Sequence, residues 1–170
     1  LAKIAGLTVI ATASRPESIE WVQKLGADHT INHHQPLRPQ FEALGWKYVD
    51  YIALFNDTDG HWSAATDLIR PQGHIVTIVE NEQPLKQSEM KLKAATLSWE
   101  LMFTRSMYQT PDMIEQHHLL NRIAAWIDEG RIQTTVNKVV SPINAANLRD
   151  AHAQLESGRA IGKIVLQGWE

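Results

Sequence analysis

Ser14 and Arg15 stand directly after the apolar run of residues 7–13 and directly before Pro16, so a hydroxyl and a guanidinium share the point where a strand gives way to a helix. Arginine presents a rigid fork of donors that matches a phosphate in both charge and geometry. A phosphate group is the ligand such a corner would take. The plain alternative makes Ser14 a helix cap, paired with Glu17 in the S-x-x-E spacing of a capping box, and leaves Arg15 as a solvated charge. Other candidates are thinner. Eight histidines include the adjacent pairs His33-His34 and His117-His118, but sequence neighbours point in different directions and H-E-x-x-H does not occur. No metal site is expected. Asp57, Asp59 and Asp67 read as turn and cap residues, and Ser141 before Pro142 as a helix cap. No nucleophile stands at diagnostic spacing from a base, so no catalytic residue is assigned.

The elements that would position these residues follow from periodicity and punctuation. Residues 7–13 form a strand, residues 16–25 a helix with Pro16 in its first turn and Gly26 after its last, and residues 28–32 a second strand. A short helix over 37–44 leads to an apolar strand over 48–55, whose composition suits a parallel sheet covered on both faces. The polar turn 56–60 caps a helix over 61–69, and residues 70–73 (RPQG) stop it before the strand HIVTIV of 74–79. Residues 80–92 read as a loop with a helical turn, and 95–103 (ATLSWELMF) as another strand. Thr110-Pro111-Asp112 opens a helix that ends at Gly130, with Met113, His117, Leu120, Ala124 and Ile127 as its inward stripe and His117 partly buried. A strand over 134–140, a helix from Ser141 through Leu155 and a strand over 163–167 close the chain. Strand and helix alternate throughout, which predicts a parallel α/β fold.

Composition narrows the function classes. The chain has 170 residues, 44% hydrophobic and 21% charged, as ordinary globular domains do. A net charge of −3 gives no electrostatic reason to expect nucleic acid or an anionic membrane. With no cysteine, this chain has no disulfide, no thiolate nucleophile and no Cys-ligated zinc. A cytoplasmic protein is the simplest expectation. Residues 1–6 look like the end of an amphipathic helix stopped by Gly6, so the chain is expected to continue a longer one.

In open α/β sheets, ligands bind outside the carboxyl ends of the strands, where Ser14 and Arg15 stand. An acidic residue at that corner would suit the ribose hydroxyls of NAD, whereas small polar and cationic residues suit the 2′-phosphate of NADP. No G-x-G-x-x-G is present, because no two of the nine glycines lie two residues apart. Trp99, Met102 and Phe103 could line a nicotinamide or substrate pocket or be plain core. An edge strand carrying SWELMF would invite pairing, so a homodimer through it is plausible on physical grounds.

The stretches LAKIAGLTVIATASRPESIEWVQKLGADHTINH, YVDYIALFNDTDGHW, LIRPQGHIVTIVE and SGRAIGKIVLQG, taken in order, resemble the C-terminal nucleotide-binding part of medium-chain dehydrogenase/reductases. Within that superfamily the chain is most similar to quinone oxidoreductases and to zinc-type alcohol dehydrogenase-like proteins. The resemblance implies a Rossmann-type doubly wound parallel sheet lacking its first strand and glycine-rich turn. It implies residues 1–133 as an incomplete dinucleotide-binding domain and 134–170 as a strand-helix-strand returning toward a catalytic domain. It further implies hydride transfer from NADPH to a quinone or an α,β-unsaturated carbonyl, a small-molecule substrate and a parent enzyme of which this chain alone is inactive. By position, Ser14 and Arg15 would meet the 2′-phosphate, His33 would lie near the adenosine, and Asn56 would face the cofactor. Ile78, Val79, Glu80 and Phe103 would pack near the nicotinamide, with Lys163 a weaker phosphate candidate. Two readings compete: a non-catalytic nucleotide-sensing or dimerisation module of the same fold, and part of a zinc-dependent alcohol dehydrogenase.

Overall fold

A proline that needs no amide partner and a glycine with φ +102 bracket the first helix, as their chemistry demands. The computed structural model describes residues 1–169. In chain order the elements are β1 (Ile10–Thr12), α1 (Pro16–Lys24), β2 (His29–Ile31), α2 (Leu37–Ala43), β3 (Val49–Leu54), α3 (Thr58–Leu68) and β4 (Ile69–Thr77). There follow α4 (Ser88–Lys91), β5 (Thr96–Trp99), α5 (Thr104–Tyr108), α6 (Glu115–Asp128), β6 (Val136–Val140), α7 (Ala145–Glu156) and β7 (Lys163–Leu166). The alternation of strand and helix is the expected one. These elements gather into two compact units, one of Leu1–Thr30 with the chain from His117 onward, the other of Ile31–Gln116.

In the first unit β1 pairs with β2, and β6 pairs in parallel with β7 through the crossover helix α7. Asp28 joins the start of this unit: its carboxylate takes the Lys3 ammonium at 2.8 Å and the Val9 amide at 2.7 Å. Those two donors hold the Asp28 carboxyl below its ordinary pKa, the lysine contributing most. The helix α7 starts later than expected. Its cap is Asn144, whose side chain accepts from the Asn147 amide, so Ser141 is not a cap. The expected start of α6 at Thr110 is also displaced to Glu115, and the covered face is not the expected stripe. Gln116, Ile123, Trp126 and Ile127 are half-buried, while Met113, His117, Leu120 and Ala124 are exposed. His117 instead pairs with Asn121, one helical turn away, at 2.9 Å.

The second unit is a parallel three-stranded sheet in the order β3-β4-β5. Its core joins Leu54, Trp62, Ala65, Ile69, Ile75 and Met90. Three corrections concern this sheet. Residues 70–73 do not separate helix from strand but lie within β4: α3 runs straight into β4, and these residues bulge out of register between the Val49–Ile69 and Tyr51–His74 pairs. Pro71 and a left-handed Gln72 (φ 62) are tolerated because a bulge needs no regular ladder bond from them, and the Gln72 amide goes to the Lys93 carbonyl at 2.7 Å. Lys93 then donates to the carbonyls of Thr66, Asp67 and Ile69 at 2.7–2.8 Å, closing the carboxyl end of α3 where no loop exists to do so. The strand β5 is also shorter than expected, so Phe103 lies outside it, at the cap position before α5. Finally, β3 is not covered on both faces: Ile52 and Leu54 turn inward, but Tyr51 is 60% exposed.

Candidate cofactor site

Register in the second unit aligns Leu54, Thr77 and Trp99 across the three strands. Chain direction is common to all three, so this row is the carboxyl edge of the sheet. Asn56, Ile78, Val79 and Glu80 follow it within three positions, and Phe103 four positions after Trp99. Five of the nine positions singled out for the cofactor in the sequence therefore follow one edge of one sheet. Ile78 and Glu80 are exposed there and Val79 is half-buried. The last ladder bonds are the Ile78 amide to Leu54 O at 3.3 Å and the Glu100 amide to Thr77 O at 3.0 Å.

The turn after β3 is built by its acids. Asp57 caps α3 by accepting the Gly60 amide at 2.8 Å, and a Cβ at Gly60 would stand 2.2 Å from Asp57 Oδ2. A side chain at position 60 would therefore displace the capping carboxylate. The helix begins at Thr58, three residues before the expected His61, because the cap is Asp57 and not a later residue.

His33 follows β2 and belongs to the second unit. Its ring centroid lies 4.3 Å from that of His34 and 6.2 Å from that of His61. Its Nδ1 is buried without a hydrogen-bond partner. Burial, with smaller contributions from His34 and His61, pushes its pKa below the ordinary histidine value. His33 is thus biased toward the neutral ring, able to offer a planar face or one donor. Among the described residues, no group of three His, Asp or Glu side chains converges as a metal site.

Ser14 and Arg15 belong to the first unit, at the end of β1. The capping box does not form: Arg15 occupies the cap position of α1, and no side chain bonds a free helix amide there. Both residues are half-buried, and Arg15 Nη2 donates to the Arg159 carbonyl at 3.3 Å. Lys163 opens β7 in the same unit.

Sequence reasoning missed Thr58, Thr77 and Asp59, which hold the segment after β4. A lone hydroxyl inside HIVTIV was the available signal, since a polar group in an apolar strand must find a partner when buried.

A family model described as zinc-binding dehydrogenase matches residues 25–166. A zinc-type alcohol dehydrogenase-like protein of Staphylococcus aureus is 42% identical over 166 residues, covering 98% of this chain and 50% of the relative. A quinone oxidoreductase of Pseudomonas aeruginosa is 27% identical over 173 residues, covering 97% of this chain and 50% of the relative. Among solved structures, a Rhizobium etli protein assigned as a zinc-dependent alcohol dehydrogenase aligns with TM-score 0.89 and 48% identity, over 96% of this chain and 48% of that one. The chain thus spans about half the length of the relatives it matches. Its α/β fold is the Rossmann-like one of that structure.

Proposed function

The chain belongs to the zinc-binding dehydrogenase family, and from that premise we propose that it is the nucleotide-binding part of an NADPH-dependent oxidoreductase. The acceptor is a quinone or an α,β-unsaturated carbonyl. The observation that carries this reading is the common carboxyl edge set by Leu54, Thr77 and Trp99, because cofactors bind outside that edge in open α/β sheets. When bound, the nicotinamide supplies the hydride, and the protein binds and orients it.

In this reading Ile78 and Val79 give the nicotinamide an apolar rest, with Phe103 beside it. Asn56 and Glu80 offer an amide and a carboxylate to the polar groups of the cofactor, and His33 offers a neutral ring to the adenosine. Ser14 and Arg15 take the 2′-phosphate: a guanidinium has five donors, and the Arg159 carbonyl engages one of them. Residues 1–133 are the incomplete dinucleotide-binding domain and 134–170 the strand-helix-strand that returns toward the catalytic domain. By itself the chain binds NADPH weakly and turns over nothing. Exposed Trp99, Leu101, Met102 and Phe103 beside the edge strand β5 support a homodimer formed along it. No helix among the described residues is long and apolar enough to cross a membrane, and the enzyme is read as cytoplasmic.

A second reading, part of a zinc-dependent alcohol dehydrogenase, is favoured by the names of the Staphylococcus and Rhizobium relatives. The two separate in one assay. With the full-length protein, NADPH oxidation by quinones and enones that is indifferent to a zinc chelator supports the first, whereas chelator-sensitive alcohol oxidation with no quinone reduction overturns it.

A further inference from the structure

The first turn of α3 closes a ring of hydrogen bonds around Val79, the second residue past the end of β4. Thr58 and Thr77 are 1% and 0% exposed, so neither hydroxyl can reach solvent or a ligand. Thr58 Oγ1 donates to the Val79 carbonyl at 2.6 Å. A hydroxyl has one hydrogen, so the 2.6 Å contact between the two threonines must then be a donation from Thr77 to Thr58. Thr77 Oγ1, at 3.3 Å from the same carbonyl, has no hydrogen left for it and instead accepts the Val79 amide at 3.4 Å. The circuit runs from the Val79 N–H through Thr77 and Thr58 to the Val79 C=O. Both polar groups of one residue are held by side chains just past the last ladder bonds of the sheet, each bond polarising the next.

The same helical turn grips the segment a second time. Asp59 accepts the Glu82 amide at 2.7 Å and the Gln83 amide at 3.2 Å. Residues 78–83 are thereby fixed at two points, while Ile78, 51% exposed, and Glu80 project between and beside them. An ordinary loop after a strand has no need of two buried hydroxyls and a carboxylate from its neighbour. A segment that must hold a ligand at one height above a sheet does, because small misplacements near reacting atoms are costly.

We propose that Thr58, Thr77 and Asp59 are positioning residues, a clamp that sets Ile78 and Glu80 at the height the nicotinamide requires without touching it. This rests on the cofactor reading above. The test uses the full-length protein and two probes: NADPH, and 2′-phospho-ADP-ribose, which lacks only the nicotinamide. Thr58→Val keeps the shape and removes the hydroxyl. It is expected to weaken NADPH roughly tenfold and to leave 2′-phospho-ADP-ribose within about twofold, whereas Thr58→Ser binds both as the parent does. Should Thr58→Val fail to fold, Asp59→Ala, at a half-buried surface position, must give the same split. Equal weakening of both probes, or of neither, overturns the clamp. If the parent itself binds neither NADPH nor NADH, the cofactor reading fails first, and that outcome is distinct from a parent that binds while its variants do not discriminate.

Discussion

Arg15 donates from Nη2 to the carbonyl oxygen of Arg159 at 3.3 Å, although 144 positions separate them in the chain. This contact aims a guanidinium that the sequence alone would leave as a free surface charge. It belongs to the first unit, where β1 delivers Arg15 and the turn before β7 delivers Arg159. The contact is long and exposed, so it orients the fork more than it stabilises the fold.

Arg15→Ala is expected to weaken NADPH by about 1.5–3 kcal/mol, the range for a hydrogen bond to a charged group, which is roughly tenfold to a hundredfold. NADH, having no 2′-phosphate, should change by less than about threefold. Isothermal titration of the full-length variant with each cofactor measures the split. Equal losses would remove the phosphate assignment.

Gly162 cannot take a side chain. With φ +65, an added Cβ would lie 2.5 Å from the Thr135 carbonyl oxygen and 2.8 Å from Trp21 Cζ2. Backbone strain and overpacking act together there, so Gly162→Ala should cost about 2 kcal/mol or more in urea unfolding. Gly158 has a similar φ of +66 but open space around it, so Gly158→Ala isolates the backbone part and should cost about 1 kcal/mol. Equal losses at the two sites would mean that the close approach to Thr135 carries no weight.

His33 makes stability depend on pH. Its folded pKa is below the ordinary 6.5. Between the folded value and 6.5 the unfolded chain therefore holds more protons, and stability falls as pH drops through that window. The contribution is fully present above 6.5 and is lost below the folded value. His61→Ala removes one of the charges that oppose protonation and should move the His33 midpoint upward in an NMR titration. A His33 midpoint at or above 6.5 in the parent would contradict the burial argument.

How much of this was legible beforehand depended on where punctuation and physics agree. The helix α1 was found to within one residue, because Pro16 and Gly26 state its ends chemically. Residues 70–73 misled because Pro and Gly mark both turns and bulges, and only the Lys93 carbonyl and ammonium, twenty residues on, decide for the bulge. The covered face of α6 was misjudged since a stripe chosen by hydrophobicity ignores which neighbours exist to cover it. At the candidate site the exposed residues were legible from position after each strand. Thr58 and Thr77 were not, because their pairing depends on a register that no local pattern encodes.

The Ser14-Arg15 corner is proposed to read the 2′-phosphate of NADPH. Its most direct test is a titration of the full-length parent protein with NADPH and with NADH, followed by tryptophan fluorescence. The account predicts saturable binding of both, with NADPH at least about tenfold tighter. Tighter binding of NADH would contradict the corner's assignment, and no binding of either would mean the fold serves a purpose other than hydride transfer.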